Sequence, residues 1–195
     1  MSELIDKGQL QEAFRRLASE LQRDGTVGEI YVFGGAAMVL AYDARQATRD
    51  VDALFKPREK VHHAALRVAD ELGLPRWWLN DQGTSYLPRG EDDRAKLIYD
   101  HPNLRVTAVS ITHMLAMKAL AARAYADIDD IKTLCDRLGV TTLAEVETIC
   151  TRIFPDEPLS ERARIVVEDV ILQLQNERSI DRERRLGLEG PGLDR

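Results

Sequence analysis

Cysteine is scarce: the chain of 195 residues holds only Cys135 and Cys150, with neither C-x-x-C nor Cys/His ligand spacing. That excludes a disulfide framework and a zinc ribbon, and two reduced, buried thiols are expected in these apolar-periodic stretches. The four histidines, His62, His63, His101 and His113, likewise lack zinc spacing, so structural or exposed roles are expected for them. Excess basic charge is also missing. With a net charge of −6 the chain is not a globally basic nucleic-acid binder, and any contact with RNA or DNA must use a local patch. No run approaches the roughly 18 apolar residues of a membrane span. The first residues, Met1-Ser2-Glu3-Leu4, have no basic region followed by an apolar one. A cytoplasmic protein without a membrane partner is therefore expected. There is no internal repeat, P-loop, dinucleotide fingerprint or nucleophile elbow.

What the chain does have is an ordinary hydrophobic fraction, 44%, and enough length for one mixed domain with a helical extension. Its most informative stretch is residues 30–55. The apolar run Ile30-Tyr31-Val32-Phe33 ends in Gly34-Gly35, and after 14 intervening residues comes Asp50-Val51-Asp52-Ala53-Leu54-Phe55. In a strand, residues i and i+2 leave the same face, so Asp50 and Asp52 would project together while Val51 enters a core. Paired carboxylates repel one another and are reconciled by a hard divalent cation, Mg²⁺ or Mn²⁺, which takes one or two carboxylates together with substrate phosphates. A strand that ends in two glycines and runs into a helix exposes backbone N–H groups to phosphate oxygens. Thr48, read as part of the same strand, would share the aspartates' face and contact a phosphate or a metal-bound water. Arg49 would lie on the other face as a solvated neighbour.

A basic cluster surrounds the aspartates: Arg45, Arg49, Lys56, Arg58, Lys60 and Arg67, against Asp50, Asp52 and Glu59. It reads either as a patch for a polyanion or as a solvated helix face with scattered charges. Trp77 and Trp78, alternating on a strand, would put one ring inside and one outside.

Periodicity and punctuation give the order of elements. A helix capped by Ser2 carries Leu4, Ile5, Leu10, Phe14, Leu17 and Leu21 to Gly25, followed by strand 30–33 and helix 36–42. A charged loop over 43–49 leads to strand 51–55, and Pro57 opens a helix that Gly73 closes. Residues 75–90 read as a loop after a strand start at Trp77. Strands follow at 95–99 and 104–109. Beyond Ser110 the period is helical, with stops at Gly139, a capping box at Thr142-Leu-Ala-Glu145, and a last helix from Ser160. The expected fold is α+β: a small mixed sheet flanked by helices over 1–110, a helical subdomain over 111–176, and a flexible tail over 177–195.

In Gly34-Gly35 and Asp50-x-Asp52 the sequence resembles the nucleotidyltransferase superfamily, and most of all AbiEii/MenT-type toxins. Lys118, followed by the Arg/Asp-rich stretch Arg123 to Asp130, extends the resemblance, which covers roughly residues 28–135. It implies Mg²⁺-dependent transfer of a nucleoside monophosphate from a nucleoside triphosphate to a hydroxyl, at the 3′ end of tRNA, by a toxin restrained by an antitoxin protein. Asp50 and Asp52 would be metal ligands, Gly34 and Gly35 would hold the triphosphate tail, and Lys118 would supply a cation to it. A third acid is missing from 104–109, where Arg105 is the only charged side chain; Asp130 or Asp127 would take that place. The alternative for these two is an acidic first helical turn exposed to water, and for Lys118 a side chain snorkelling beside Met114 and Met117. Two other functions stay open: the same chemistry on a small molecule such as an aminoglycoside or on a protein, and a non-catalytic regulatory module.

Overall fold

The computed structural model describes residues 4–121 and 127–185. The chain forms two compact units that divide between Met114 and Leu115.

The first unit is built on a five-stranded mixed sheet. In chain order its strands are β2 (Gly28–Phe33), β4 (Val51–Lys56), β5 (Leu79–Asn80), β6 (Lys96–His101) and β7 (Leu104–Ala108), and across the sheet they run β5-β4-β2-β7-β6. The central strand β2 is antiparallel to β4 and parallel to β7. Two short strands outside this sheet, β1 (Ile5–Asp6) and β3 (Ala47–Thr48), pair with each other.

Alternation decides which face is covered. Ile30 and Val32, Val51, Ala53 and Phe55, and Leu104, Val106 and Ala108 are all buried. They lie under α1 (Lys7–Arg23) and α3 (Arg58–Leu72), which bring Leu10, Phe14, Leu17, Leu21, Val61, Ala64, Ala65 and Val68 to that side. Arg67 ties the two helices together through Glu20 at 2.5 Å and Asp24 at 2.7 Å. The opposite face carries Glu29, Tyr31, Leu54, Lys56, Arg105 and Thr107, which line an open depression of about 310 Å³. Trp78 is buried and donates its indole N–H to the Ala65 carbonyl, while Trp77 is exposed.

Several boundaries differ from the sequence reading. Asp6, rather than Ser2, caps α1, in a capping box with Gln9; Ser2 lies outside the described residues. The helix after the glycines, α2 (Gly34–Leu40), starts at Gly34 itself.

The second unit is helical. Completing α4 (Ile111–Ala121), it adds α5 (Ile128–Leu138), α6 (Leu143–Ile153) and α7 (Glu161–Arg185). Gly139 closes α5 with φ +67°, and the Thr142–Glu145 capping box opens α6 as its spacing suggested. Helix α7 continues nine residues past 176, where a flexible tail had been expected. Glu177 and Arg178 explain the extra turns, because they pair with Lys132 and Asp136 of α5 at 2.5 and 2.9 Å. Residues 186–195 of that expected tail lie outside the described residues. Cys135 and Cys150 are buried free thiols, and burial pushes them up to about 11 and about 12.

Candidate functional site

Strand β2 reaches Phe33 in extended conformation and turns at Gly34, whose φ of +65° suits a residue without a side chain. Phe33 is the register partner of Asp52 across the antiparallel β2/β4 pair. This register brings the acid to the glycine corner. A Cβ on Gly34 would lie 3.2 Å from Asp52 Oδ2, and one on Gly83 would lie 3.4 Å from Asp52 Oδ1. Both glycines therefore make room for the same carboxylate.

Asp50 reaches the site from the residue before β4. Its Oδ2 accepts a hydrogen bond of 2.9 Å from the Asn80 amide. Asn80 is the parallel register partner of Asp52, so the amide that reaches Asp50 comes from the strand position beside Asp52. Val51 between the acids is fully buried. The Asn80 carbonyl is engaged as well, accepting the Gln82 N–H at 3.1 Å, which fixes the amide's orientation. Burial pushes Asp50 above the usual carboxylate range; the Asn80 hydrogen bond and the Arg49 charge pull it part of the way back.

Thr48 has a different place from the one the sequence suggested. It belongs to β3, and the chain breaks between Thr48 and Val51, so the strand-face argument does not carry back to it. Its hydroxyl donates to the Asp50 carbonyl at 3.2 Å. A Cβ on Gly35 would stand only 2.6 Å from Thr48 Oγ1 and 3.6 Å from Arg45 Nη1. Gly35, Thr48 and Asp50 thus form one contact chain, with the Arg45 guanidinium beside it.

Arg45 also belongs to the larger open groove of the unit, about 590 Å³, with Asp6, Lys7, Gly8, Asp43, Ala44 and Gln46. The aspartates do not line that groove, but its rim meets the glycine corner at Arg45. Within the basic cluster, Arg58 is paired with Asp81 and Arg67 with Glu20 and Asp24.

In the second unit Lys118, Asp127 and Asp130 form a cluster of their own. The Lys118 ammonium lies 2.5 Å from Asp127 Oδ1 and 2.8 Å from Asp130 Oδ2. Asp127 and Asp130 are 5% and 2% exposed, which overturns the water-exposed alternative for them. Lys118 is ion-paired rather than snorkelling. Arg123 lies outside the described residues.

Sequence reasoning missed Asn80 and Gly83, and with them Asp92. Asp92 Oδ2 accepts from the Tyr31 hydroxyl and the Ser110 N–H, both at 2.7 Å, and its Oδ1 is 3.3 Å from His113 Nδ1. The one signal for Asn80 was its place at the end of the apolar run Trp77-Trp78-Leu79.

Among the described residues no three His, Cys, Asp or Glu side chains gather into a metal cage. Two carboxylates linked through Asn80, one of them half-buried and held by its amide, still fit a hard cation whose remaining ligands come from substrate and water.

Over residues 9–167 the chain matches the model of a family described as nucleotidyltransferase of unknown function (DUF6036). The chain belongs to this family. The match contains the glycine corner, both aspartates and the Lys118 cluster, and it supports a transferase while assigning no substrate. No curated protein and no solved structure matches the chain. For a member of a nucleotidyltransferase family, the placement of Asp52 against Gly34 joins the two halves of the sequence signature at one point.

Proposed function

We propose that this protein transfers a nucleoside monophosphate from a nucleoside triphosphate to an acceptor hydroxyl, at the corner formed by Gly34, Gly35, Asp50 and Asp52. The observation that carries this is the Phe33–Asp52 register, which sets a carboxylate oxygen against Gly34 while Asn80 holds Asp50 beside it. Asp50 and Asp52 would hold Mg²⁺ or Mn²⁺. Such an ion, when bound, supplies Lewis-acid stabilisation of charge on phosphate oxygens.

The chain's own residues do the rest. Gly34 and Gly35 leave their backbone approachable, and Arg45 brings a guanidinium whose planar fork suits a phosphate. Asn80 keeps Asp50 Oδ2 in place and leaves Oδ1 as the oxygen it does not engage. Lys118 keeps its proposed role as a cation for the triphosphate only where substrate phosphates draw it from Asp127 and Asp130.

The acceptor in this reading is an RNA 3′ end, tRNA above all, and the biological role is that of a toxin held by an antitoxin protein. Both rest on the resemblance to AbiEii/MenT-type toxins. A second acceptor, a cationic small molecule such as an aminoglycoside, is favoured by the commitment of Arg58 and Arg67 to internal ion pairs, which thins the basic patch, and by the net charge of −6.

The test incubates the protein with each triphosphate labelled at the α-phosphate, Mg²⁺ or Mn²⁺, and either total tRNA or an aminoglycoside panel. Label should appear in RNA and vanish with Asp52→Asn. Label in the small molecules alone would replace the RNA acceptor. Transfer to no acceptor by a protein that binds the triphosphate would reject the enzyme and leave a regulatory module.

A further inference from the structure

Helix α7 is apolar on two opposite sides. Ala163, Val167, Val170, Ile171 and Leu174 are buried against the helical unit. On the far side Ile165, Leu172 and Ile180 are 59%, 52% and 49% exposed. Their spacings of seven and eight residues put them in one stripe along the helix, about 22 Å long at 1.5 Å per residue. A helix with a single buried face would carry charge there instead. A stripe of large aliphatic side chains at spacings of seven and eight supplies every second position of a helix-pair seam.

We propose that α7 pairs antiparallel with α7 of a second copy of this chain, across a twofold axis near Leu172. The charges on the stripe's margins select this occupant and this direction. Setting Ile165 against the partner's Ile180 fixes the register, and Leu172 then meets the partner's Leu172 beside the axis. In the same register Arg162 falls opposite the partner's Glu183, and the twofold repeats this pair at the other end. Asp169 faces the partner's Asn176, so no like charges meet along the seam. Neither Arg162 nor Glu183 takes part in an ion pair among the described residues, whereas Arg164, Glu177 and Arg178, turned toward the inner side, pair with Glu147, Lys132 and Asp136. A parallel pair would instead set Arg162 against Arg162 and Glu183 against Glu183.

The test is the solution mass of the full chain by light scattering and sedimentation, at concentrations into the tens of micromolar. The expected mass is twice the 22.0 kDa of one chain. Leu172→Glu should give a monomer with unchanged helical circular dichroism, since Leu172 is outside the unit's core, and with a melt that no longer depends on protein concentration. Arg162→Glu and Glu183→Arg should each weaken association about tenfold or more, because either reversal creates two like-charge contacts. The double variant should recover the dimer. Arg162 and Glu183 are about 31 Å apart along one helix, so such rescue can arise only between copies. A wild-type monomer throughout, a dimer that survives Leu172→Glu, or a double variant no better than its parents would each overturn the pairing. None of these outcomes bears on the nucleotidyl transfer proposed above.

Discussion

The Asn80 side-chain amide donates to Asp50 Oδ2 at 2.9 Å, from the strand position level with Asp52. An amide can stabilise a carboxylate without neutralising it, so Asp50 stays available to a cation while half-buried. Burial nonetheless raises its proton affinity above the ordinary carboxylate value. A proton and a metal ion compete for that oxygen. Binding of Mn²⁺ should therefore weaken as pH falls through the raised pKa of Asp50.

Asn80→Ala removes one of the two influences that lower this pKa, so the acidic limb of the Mn²⁺-binding profile should move to higher pH, with affinity near neutrality down roughly tenfold. Calorimetric titration across the acid-to-neutral range measures both; an unmoved limb would show that Asn80 does not govern Asp50. The stability sign is opposite. A raised folded pKa means that ionised Asp50 costs folding free energy above that pKa, so Asp50→Asn should raise the melting temperature at neutral pH while removing metal binding.

Gly35 and Thr48 make a second, independent prediction. A methyl group on Gly35 would come within 2.6 Å of Thr48 Oγ1, whose hydroxyl holds the Asp50 carbonyl. Gly35→Ala should thus cost about 1–3 kcal/mol of stability through overpacking, and it should weaken triphosphate binding by displacing Asp50. Thr48→Ala removes the clashing oxygen. In a double-mutant cycle the pair should be more stable than the sum of the two single losses, and strict additivity would contradict the contact.

The parts of the site legible in the sequence are those fixed by local spacing. Gly34-Gly35 at a strand end and two acids separated by a buried valine follow from the period of a strand. Asn80, Gly83 and Asp92 come from residues 75–95, where no period exists: a two-residue strand, a 3₁₀ turn at Gln82–Tyr86 and irregular chain carry them into place. Their importance depends on tertiary approach, which spacing does not encode. Thr48 was misplaced because a break of two residues between strands leaves no mark on alternation. Asp127 and Asp130 were set on one helix face by their i, i+3 spacing, yet charge suggested water, and the spacing gives no sign of the Lys118 ammonium that pairs with both. The end of α7 was hidden for a related reason, because charged residues suit a solvated helix as well as a loop.

Lys118 supplies the third prediction. It joins α4 to α5 through two carboxylates that are almost fully buried. Lys118→Met keeps much of the side chain's length and removes its charge, leaving two acids close together without their cation. Loss of one partner from a buried pair costs about 3–5 kcal/mol, so a clear fall in denaturation midpoint is expected. Adding Asp130→Asn should return part of it. A variant that melts like the parent but binds triphosphate poorly would place Lys118 in phosphate recognition alone.

Asp92 adds an acid-sensitive contribution to the first unit. Burial alone would push its carboxyl up, but the Ser110 N–H and hydroxyl, the Tyr31 hydroxyl and His113 together bring it below the ordinary value. Tyr31 is shifted the other way, by burial first and then by Asp92, so its hydroxyl remains a donor. A depressed folded pKa contributes stability that is present above the unfolded-state value, near 3.8, and is lost as pH falls through the folded one. Asp92→Asn forfeits that contribution and offers the Tyr31 hydroxyl and the Ser110 N–H a neutral carbonyl in place of a charged acceptor. At neutral pH it should cost about 1–3 kcal/mol. Urea unfolding at neutral pH and again near pH 3 separates the causes: the gap between variant and parent should shrink once pH falls below the unfolded-state value near 3.8, where the unfolded chain takes up the proton first. An equal gap at both values would mean that the loss is steric rather than electrostatic, and that the carboxylate does not anchor Tyr31 and Ser110 through its charge.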